Sequence, residues 1–597
     1  MILARIDWII VFSFFILSLS IGIYSSKKAG KSASEFFLSN RNMPWWLLGV
    51  SMVATTFSCD TPNLVTDIIR QNGVYGNWAW WAFLLTGLLT VFIYAKLWRR
   101  SGVMTDLEFY EIRYSGKVAA FLRGFRAIYL GALFNIFIIA TVSLALIKIS
   151  AVMLHWTPVK TILIASIITV IYSALGGLRG ILLTDFFQFI MSMAGAIGAA
   201  IIVLKMPEVG GMEGLVSHPE VVPKLRFLPD FSDTELLITL LILPLAVQWW
   251  SVWYPGAEPG GGGYIAQRML SARDEKGAIK ATLFFNVAHY ALRPWPWIIV
   301  ALGSVIIFPD LLSLQQTFPN IDPQFVKHDL AYPAMLSMLP KGLLGLVVAS
   351  LIAAYMSTVS TQLNWGASYL VNDFYKRFVN TKASEKQLVR AGRISTVLLM
   401  ILAGLFTLLL TNALQAFHII LQIGAGTGLI FILRWFWWRI NAVTEITAMM
   451  VSFVVALFLQ FVYPNLGFTV LSGPVQMLIG VFVTTVAWLT VALLTKPTDD
   501  ETLIKFYKLV KPGGPGWKKV IQRAEKNNVI LESDPDKAWD VPVGILCMVL
   551  GAFAIYSALF ATGYWIYGEF LYAIILTSVS ILSIFALLKT WSKLKTQ

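Results

Sequence analysis

The sequence predicts an all-α protein that crosses a membrane many times, and three observations support this prediction. Of its 597 residues, 57% are hydrophobic and only 13% are charged. Runs of about 20 apolar residues, the length that a helix needs to cross a bilayer, recur along the whole chain. The Lys and Arg residues lie in short loops between these runs, as is typical of cytoplasmic loops. This distribution argues against nucleic-acid binding, although the net charge is +14.

The apolar segments predict about fifteen helices. They lie at 7–26, 44–70, 78–98, 119–152, 158–175, 181–204, 234–256, 281–307, 342–375, 390–411, 413–435, 441–463, 472–494, 541–563 and 566–588. We interpret the first segment as a retained helix rather than a signal peptide, because its apolar run is long and Asp7 lies beside Arg5.

The charges of the loops predict the orientation of the chain. Basic clusters follow the first, third, seventh and ninth segments, and alternating segments bring all four clusters to one side. The positive-inside rule assigns that side to the cytoplasm. We therefore expect a multi-pass protein of the cell (plasma) membrane with its N-terminus outside and its basic C-terminus inside.

Two segments carry residues that interrupt a helix. Asp60 and Pro62 lie in the second segment, and Pro259 with the glycines from Gly260 to Gly263 follows the seventh. A helix can break at membrane depth only where the freed backbone is buried or lines a cavity. Interruptions at corresponding places in two five-helix halves, 44–204 and 234–435, predict a transporter with inverted repeats and a site at mid-membrane.

This interpretation divides the chain into seven parts. They are an extra helix and loop (1–43), the first repeat (44–204), an external loop (205–233), the second repeat (234–435), two extra helices (436–495), a cytoplasmic loop (496–540), and two final helices with a basic tail (541–597). The cytoplasmic loop is expected to be short and folded or to lie along the membrane surface.

One helix carries an unusual column of hydroxyl groups. Ala354, Ser357, Thr358 and Thr361 are spaced i, i+3, i+4 and i+7, so they share one face of a helix, and Ser360 lies beside them. A single hydroxyl in a membrane helix commonly bonds to the carbonyl one turn earlier. Four hydroxyls within two turns instead favour a site for a hard cation such as Na⁺, which oxygen ligands hold.

Five stretches resemble, in order, the motifs of the sodium:solute symporter family. They are TDLEFYEIRYS (105–115), YSALGGLRGILLTDFFQF (172–189), GGYIAQRMLSARDEKGA (262–278), the stretch from Leu346 to Phe378, and LRWFWWRINAVTE (433–445), which is similar to the family pattern LGLFWKRxNxxG. The resemblance implies a leucine-transporter-like fold, with ten core helices in two inverted five-helix repeats, one extra N-terminal helix and about four extra C-terminal helices.

The resemblance also implies the residues that bind sodium. A first Na⁺ would be held by the carbonyls of Ala54, Phe57 and Ala354 and the hydroxyls of Ser357 and Thr358. A second Na⁺, present in some family members, would use Asp185, Ser357, Ser360 and Thr361. A carboxylate inside the membrane is costly without a cation, which supports the second set.

The solute is expected to lie between the two broken helices. Positions that match or neighbour the contacts of the family's sugar carriers, together with two intramembrane charges, are Asp60, Thr61, Trp80, Trp81, Gln248, Trp253, Tyr254, His289, Arg293 and Gln422. The sugar carriers' glutamate on the second core helix is missing, and the stretch GAEPGGGG departs from them. A sugar or polyol is favoured, with an amino acid or organic acid as the alternative.

Several of these residues have a second interpretation. A tryptophan can pack in the core or lie at the membrane interface instead of contacting a solute. Arg293 can extend towards the cytoplasm, pair with Asp60, or bind a carboxylate of the solute. Asp60 can be a paired structural charge or a contact for solute or ion.

The sequence does not predict an enzyme. It contains no GxSxG, HExxH or P-loop pattern in a suitable context, and Asp60 with His289 is the only pair that could resemble an acid–base site. Na⁺ is the expected coupling ion and the only expected metal, with no organic cofactor and no obligate protein partner. The second class of function that the sequence leaves open is a sensor or channel with the same fold.

Overall fold

The structure is a computed structural model that describes residues 3–56, 58–251, 258–408, 424–469, 471–529 and 539–594. Within these ranges the regular structure consists of helices, without a β-strand. The predicted all-α class is therefore confirmed, and Met43 and Ala272 form an isolated backbone bridge.

The main helices follow the order of the apolar segments. They are α1 (Arg5–Ala29), α2 (Trp45–Thr56), α3 (Thr61–Asn72), α4 (Val74–Ser101), α5 (Gly116–Leu154), α6 (Pro158–Leu204), α7 (Thr234–Ala246), α8 (Gly263–Ser271), α9 (Glu275–Ile307), α10 (Leu343–Val379), α11 (Glu385–Thr407), α12 (Gly424–Leu433), α13 (Ala442–Asn465), α14 (Gly473–Leu494), α15 (Asp500–Val510), α16 (Lys518–Lys526), α17 (Val541–Tyr567) and α18 (Phe570–Trp591). Of these, α15 and α16 belong to the predicted loop 496–540. Short helices at Ala33–Leu38, Gly211–Ser217, Leu311–Thr317 and Ala331–Leu336 lie between the main helices.

Eleven of these helices are long and apolar enough to cross a membrane, and α2, α7 and α12 are shorter apolar helices. α6 corresponds to two of the predicted segments, 158–175 and 181–204. Each predicted segment thus coincides with described helical structure, although the segment 413–435 is described only from residue 424.

α6 bends sharply at Gly177, whose φ of 53° lies in the region that favours glycine. The two halves of α6 pack along the same helix, because Gly22 of α1 lies against Tyr172 of the first half and Ser25 against Gly180 of the second. The bend therefore divides α6 into two segments, which explains why the sequence predicts two helices here.

Gly177→Ala is expected to destabilise this bend by about 1–3 kcal/mol. The added Cβ would lie 2.9 Å from the carbonyl oxygen of Phe36, and the positive φ would strain any other residue. Thermal unfolding of the purified protein in detergent measures the effect. In the control Gly180→Ala, the new Cβ meets the Cβ of Ser25 at an ordinary 3.4 Å, so a smaller change is expected. Equal losses in the two variants would contradict this account of the bend.

Both predicted helix interruptions are present. The first broken helix consists of α2, which ends at Thr56, and α3, which begins at Thr61 with Pro62 in its first turn. The second consists of α7, which ends at Ala246, and α8, which begins at Gly263. Residues 252–257 of the intervening stretch lie outside the described part of the chain.

The half-helices α2 and α8 pack against each other and lie at the centre of the fold. α2 is surrounded by α6, α9 and α10, while α3 packs on the end of α9. The backbone N–H of Met43, just before α2, donates to the carbonyl of Ser271 at the end of α8, at 3.3 Å. α2, the half-helix that ends at the first break, is therefore enclosed by helices that include α6 and α10, which carry the predicted sodium ligands.

The loop predicted at 496–540 folds against the protein. Its buried side chains include Phe506 of α15, Trp517 immediately before α16, and Val520 of α16. The ring of Phe506 lies 5.7 Å from that of Phe109 in the loop between α4 and α5. The indole N–H of Trp517 donates to the carbonyl of Trp435, at 3.0 Å. Of the two expectations for this loop, the structure supports a short folded segment.

Candidate functional site

The predicted hydroxyl column lies in the interior of the protein. Ser357, Thr358, Ser360 and Thr361 on α10 are all buried, with at most 2% of any of these residues exposed. Ala354, one turn earlier, is also buried. These oxygens are therefore shielded from both lipid and bulk water, and each needs a partner inside the protein.

Thr358 connects the hydroxyl column to the first broken helix. Its hydroxyl donates to the backbone carbonyl of Thr55, at 2.6 Å. Thr55 lies in the last turn of α2, where carbonyls have no partner farther along the helix. Ala54, its neighbour in α2, is also buried. Phe57, the other carbonyl ligand predicted in this part of the chain, lies outside the described residues.

Ser357 connects the same column to Asp185 on α6. The hydroxyl of Ser357 donates to one carboxylate oxygen of Asp185, at 2.7 Å. The other carboxylate oxygen accepts a short hydrogen bond from the hydroxyl of Ser51 on α2. Asp185 is completely buried. Two residues that the sequence assigned to one sodium site, 172 positions apart, thus lie in direct contact.

Arg268 on α8 is a member of this group that the sequence analysis did not identify. Its guanidinium is buried and donates to the hydroxyls of Thr361, at 2.8 Å, and Ser51, at 3.1 Å. One guanidinium nitrogen lies 3.9 Å from the carboxylate of Asp185. An arginine within the apolar stretch YIAQRML was the available signal, since intramembrane charges are seldom without a function.

The group brings together oxygen atoms of the kind that hard cations prefer, and its buried charges are balanced by one another. Hydroxyl and carboxylate oxygens from α2, α6 and α10 converge, with Thr55 and Thr361 also in contact at 3.1 Å. The positive charge of Arg268 offsets the negative charge of Asp185 when no ion is bound. Ser360 contributes differently, because its hydroxyl donates to the carbonyl of Ser357 on its own helix, at 3.1 Å.

A second group of predicted residues surrounds the imidazole of His289 on α9. The ring of Trp80 lies 5.6 Å from His289 and stacks on Tyr290, at 5.8 Å. His289 is buried, while Trp80 is partly exposed. The indole N–H of Trp80 donates to the side chain of Asn77, at 2.8 Å, which fixes the ring. This arrangement provides flat aromatic surfaces beside a polar ring, which suits a small polar solute.

Arg293 lies one turn beyond His289 and is buried, so it does not extend to the protein surface. Its guanidinium carbon lies 5.1 Å from the ring centre of Trp297, and one nitrogen donates to the carbonyl of Val53 in α2, at 3.5 Å. Asp60 lies in the break of the first helix, immediately before α3, and its buried Oδ1 has no hydrogen-bond partner among the described residues. Opposite charges therefore lie on helices that meet near the break.

The remaining predicted solute contacts differ in their surroundings. The indole of Trp81 packs against Trp78 and Phe560 of α17, as expected for a core residue. Gln248 donates to the carbonyl of Ala79, at 2.7 Å. Thr61 is the first residue of α3. Trp253, Tyr254 and Gln422 lie outside the described residues.

The chain is similar to known transport proteins over most of its length. Residues 36–452 match the model of the sodium:solute symporter family. A sodium/glucose cotransporter from Vibrio parahaemolyticus is 26% identical over 514 residues, which cover 83% of this chain and 91% of the relative. A sodium/sialic acid symporter from Proteus mirabilis is 24% identical, over 76% of this chain and 89% of the relative. A mouse sodium/myo-inositol cotransporter is 26% identical, over 77% of this chain and 68% of the relative.

The fold is similar to that of a solved structure. The substrate-bound, outward-open state of a Na⁺-coupled sialic acid symporter matches with a TM-score of 0.64 and 20% sequence identity, over 83% of this chain and 99% of that one. The leucine-transporter-like fold implied by the sequence is thereby confirmed. The chain therefore belongs to the sodium:solute symporter family and is a multi-pass membrane protein that couples a solute to Na⁺.

Proposed function

We propose that this protein imports a small polar organic solute, with a sugar or polyol favoured, together with Na⁺ by alternating access. The observation that carries the proposal is that α10 is hydrogen-bonded to two other helices, α2 and α6. Thr358 bonds to the end of α2 and Ser357 bonds to Asp185 of α6. An ion among these oxygens would stabilise one arrangement of the broken helix and thereby favour one state of the transporter.

The first Na⁺ is proposed to bind between α2 and α10. Its ligands would be the carbonyls of Ala54, Phe57 and Ala354 and the hydroxyls of Ser357 and Thr358. The hydrogen bond from the hydroxyl of Thr358 to the carbonyl of Thr55, at 2.6 Å, supports this assignment, because it places that hydroxyl beside the turn that contains Ala54. Na⁺ would replace this hydrogen bond, and the hydroxyl of Thr358 would then coordinate the ion.

A second Na⁺ is proposed to bind at Asp185, Ser357, Ser360 and Thr361. The contact between Asp185 and Ser357 supports the set, whereas Arg268 has to release Thr361 before that hydroxyl can coordinate an ion. At about 100 mV each Na⁺ contributes about 2.3 kcal/mol, so two ions supply roughly 4.6 kcal/mol, on the order of thousandfold solute accumulation.

The solute is proposed to bind beside Trp80 and His289, near the breaks of both broken helices. The aromatic surfaces of Trp80 and Tyr290 suit the apolar face of a sugar ring, and the names of the glucose, inositol and sialic acid relatives agree with a sugar or polyol. Arg293 is the observation that favours the alternative, because a buried guanidinium near the break can bind the carboxylate of an amino acid or organic acid.

The membrane arrangement completes the proposal. We infer that residues 44–204 and 234–435 are the two inverted repeats and that the side with the basic loops faces the cytoplasm. The N-terminus then lies on the outer side of the plasma membrane and the C-terminus on the cytoplasmic side.

A thermal-shift screen of the purified protein tests the solute assignment. Sugars, polyols, amino acids, organic acids and quaternary amines are added one at a time, in NaCl and in KCl of equal ionic strength. A solute that binds together with Na⁺ should raise the unfolding temperature more in NaCl, because the two ligands increase each other's affinity by the same factor. Stabilisation by carboxylates but not by sugars would overturn the sugar assignment and favour Arg293 as a ligand.

A further inference from the structure

Glu258 is a buried carboxylate at the interruption of the second broken helix. It lies immediately before Pro259 and the glycines that precede α8, and only 3% of the residue is exposed. Its two oxygens face two arginines. Arg126 of α5 forms a direct ion pair with one oxygen, and a nitrogen of Arg434, just after α12, lies 3.6 Å from the other.

The two guanidinium groups are held by the same pair of aromatic rings. The guanidinium carbons of Arg126 and Arg434 lie 5.1 and 4.9 Å from the ring centre of Phe431, and 5.5 and 5.6 Å from that of Tyr110. Both arginines are buried, and Arg434 also lies 3.6 Å from the carboxylate of Glu445. Removal of the Glu258 charge would therefore leave two fixed, buried cations with too little counter-charge.

This interaction fixes the chain that leads directly into α8. The indole N–H of Trp98 donates to the carbonyl of Gly260, at 2.7 Å, and the backbone N–H of Gly263 donates to Asp106, at 3.0 Å. In both hydrogen bonds the chain before α8 contributes an uncharged backbone group. The carboxylate of Glu258 is therefore the charged group that ties this stretch to α5 and Arg434. α8 in turn carries Arg268 to Ser51 and Thr361 in the proposed sodium site.

We propose that Glu258 is a positioning residue whose ion pairs with Arg126 and Arg434 hold the start of α8, and through α8 the side chain of Arg268, beside the sodium ligands. The inference rests on the proposed function, because it concerns the state that binds Na⁺. Loss of the pairs should loosen the start of α8 and so weaken Na⁺ binding, although Glu258 is not among the proposed ligands of the ion.

Hydrogen–deuterium exchange of the full-length protein in lipid nanodiscs tests the proposal, with Na⁺ as the probe. Exchange over residues 258–271 is measured while NaCl replaces KCl at constant ionic strength. Glu258→Gln keeps the side-chain volume and removes the charge. We expect faster exchange without Na⁺ and about a tenfold higher Na⁺ concentration for half-maximal protection than in the unmodified protein. Glu258→Asp keeps the charge and should remain closer to the unmodified protein.

Glu275→Gln is the matched control. Glu275, in the first turn of α9, forms a partly buried ion pair with Arg100, at 2.9 Å, and does not contact Glu258 through any described ion pair. This variant should keep the original Na⁺ concentration for half protection. If Glu258→Gln does not fold, Arg434→Lys, which keeps the charge but loses the planar group, should give a smaller shift in the same direction.

The outcomes separate the two levels of the proposal. Suppose that Na⁺ protects the unmodified protein but that Glu258→Gln needs the same Na⁺ concentration for half-maximal protection. This result would overturn the positioning role. Faster exchange in the variant would not rescue it, since faster exchange alone reflects lost local stability. An equal shift in Glu275→Gln would overturn it as well. Absence of Na⁺ protection in the unmodified protein would contradict sodium coupling and overturn both.

Discussion

Asp185→Asn is expected to abolish Na⁺-dependent uptake and to lower the stability of the protein by about 3–5 kcal/mol. Asp185 is the negative charge of the proposed second sodium site, and its neighbour Arg268 is completely buried. Asparagine keeps the shape of the side chain but leaves the guanidinium without its counter-charge. Uptake into proteoliposomes of a solute identified by the thermal-shift screen, together with thermal unfolding, measures both effects.

The double variant Asp185→Asn with Arg268→Gln separates stability from transport. Removal of both charges should restore much of the unfolding temperature, because no buried charge is left unpaired. Uptake should remain lost, because the carboxylate ligand is still missing. Full uptake by either variant, at an unchanged Na⁺ half-saturation, would show that Asp185 is not a ligand of a required ion.

Ser357→Ala is expected to raise the Na⁺ concentration for half-maximal uptake by about tenfold or more, corresponding to about 1.4 kcal/mol. The hydroxyl of Ser357 belongs to both proposed sodium sites and donates to Asp185 at 2.7 Å. Its loss removes one oxygen ligand from each site and one hydrogen bond from the carboxylate. Initial rates of solute uptake are measured across a series of Na⁺ concentrations at constant ionic strength.

Ser368→Ala provides the matched control on the same helix. Ser368 is also buried, but its hydroxyl donates to the carbonyl of Trp365 within α10, at 2.7 Å. Its Na⁺ half-saturation should therefore stay close to that of the unmodified protein. Equal half-saturation in Ser357→Ala and the unmodified protein would remove Ser357 from the sodium site.

The helices could be predicted because the membrane imposes a simple requirement on the sequence. A spanning helix needs about 20 apolar residues, and its end is marked by charge, Pro or Gly. The bend at Gly177 also agrees with the predicted gap between residues 175 and 181, since two adjacent glycines interrupt the apolar run. What periodicity could not show is that both halves of α6 pack along α1.

The sodium ligands could be predicted only in part. The i, i+3, i+4 spacing places Ser357 and Thr358 on one face of a helix, and family resemblance supplied Asp185 as a partner. The contact between Ser357 and Asp185 then follows from the fold. Ser51 gave no signal, because a single serine in an apolar helix most often bonds to its own backbone.

The charges at the second break were missed for a different reason. The glycines and prolines in the stretch that contains Glu258 predict a helix interruption, and they give no indication of what its carboxylate contacts. Arg126 and Arg434, which face it, lie 308 positions apart from each other in the chain, and only the folded structure brings them to one carboxylate. Sequence alone gives no rule for pairing such distant charges.

Uptake of ²²Na⁺ into proteoliposomes, with and without the solute found by the thermal-shift screen, tests the central claim most directly. An inward-negative membrane potential is imposed, and the unmodified protein is compared with liposomes that contain none. The account predicts that the solute accelerates ²²Na⁺ entry and that Na⁺ accelerates solute entry, in a fixed ratio of one or two ions per solute. Entry of ²²Na⁺ at the same rate with and without solute would contradict symport and favour a channel.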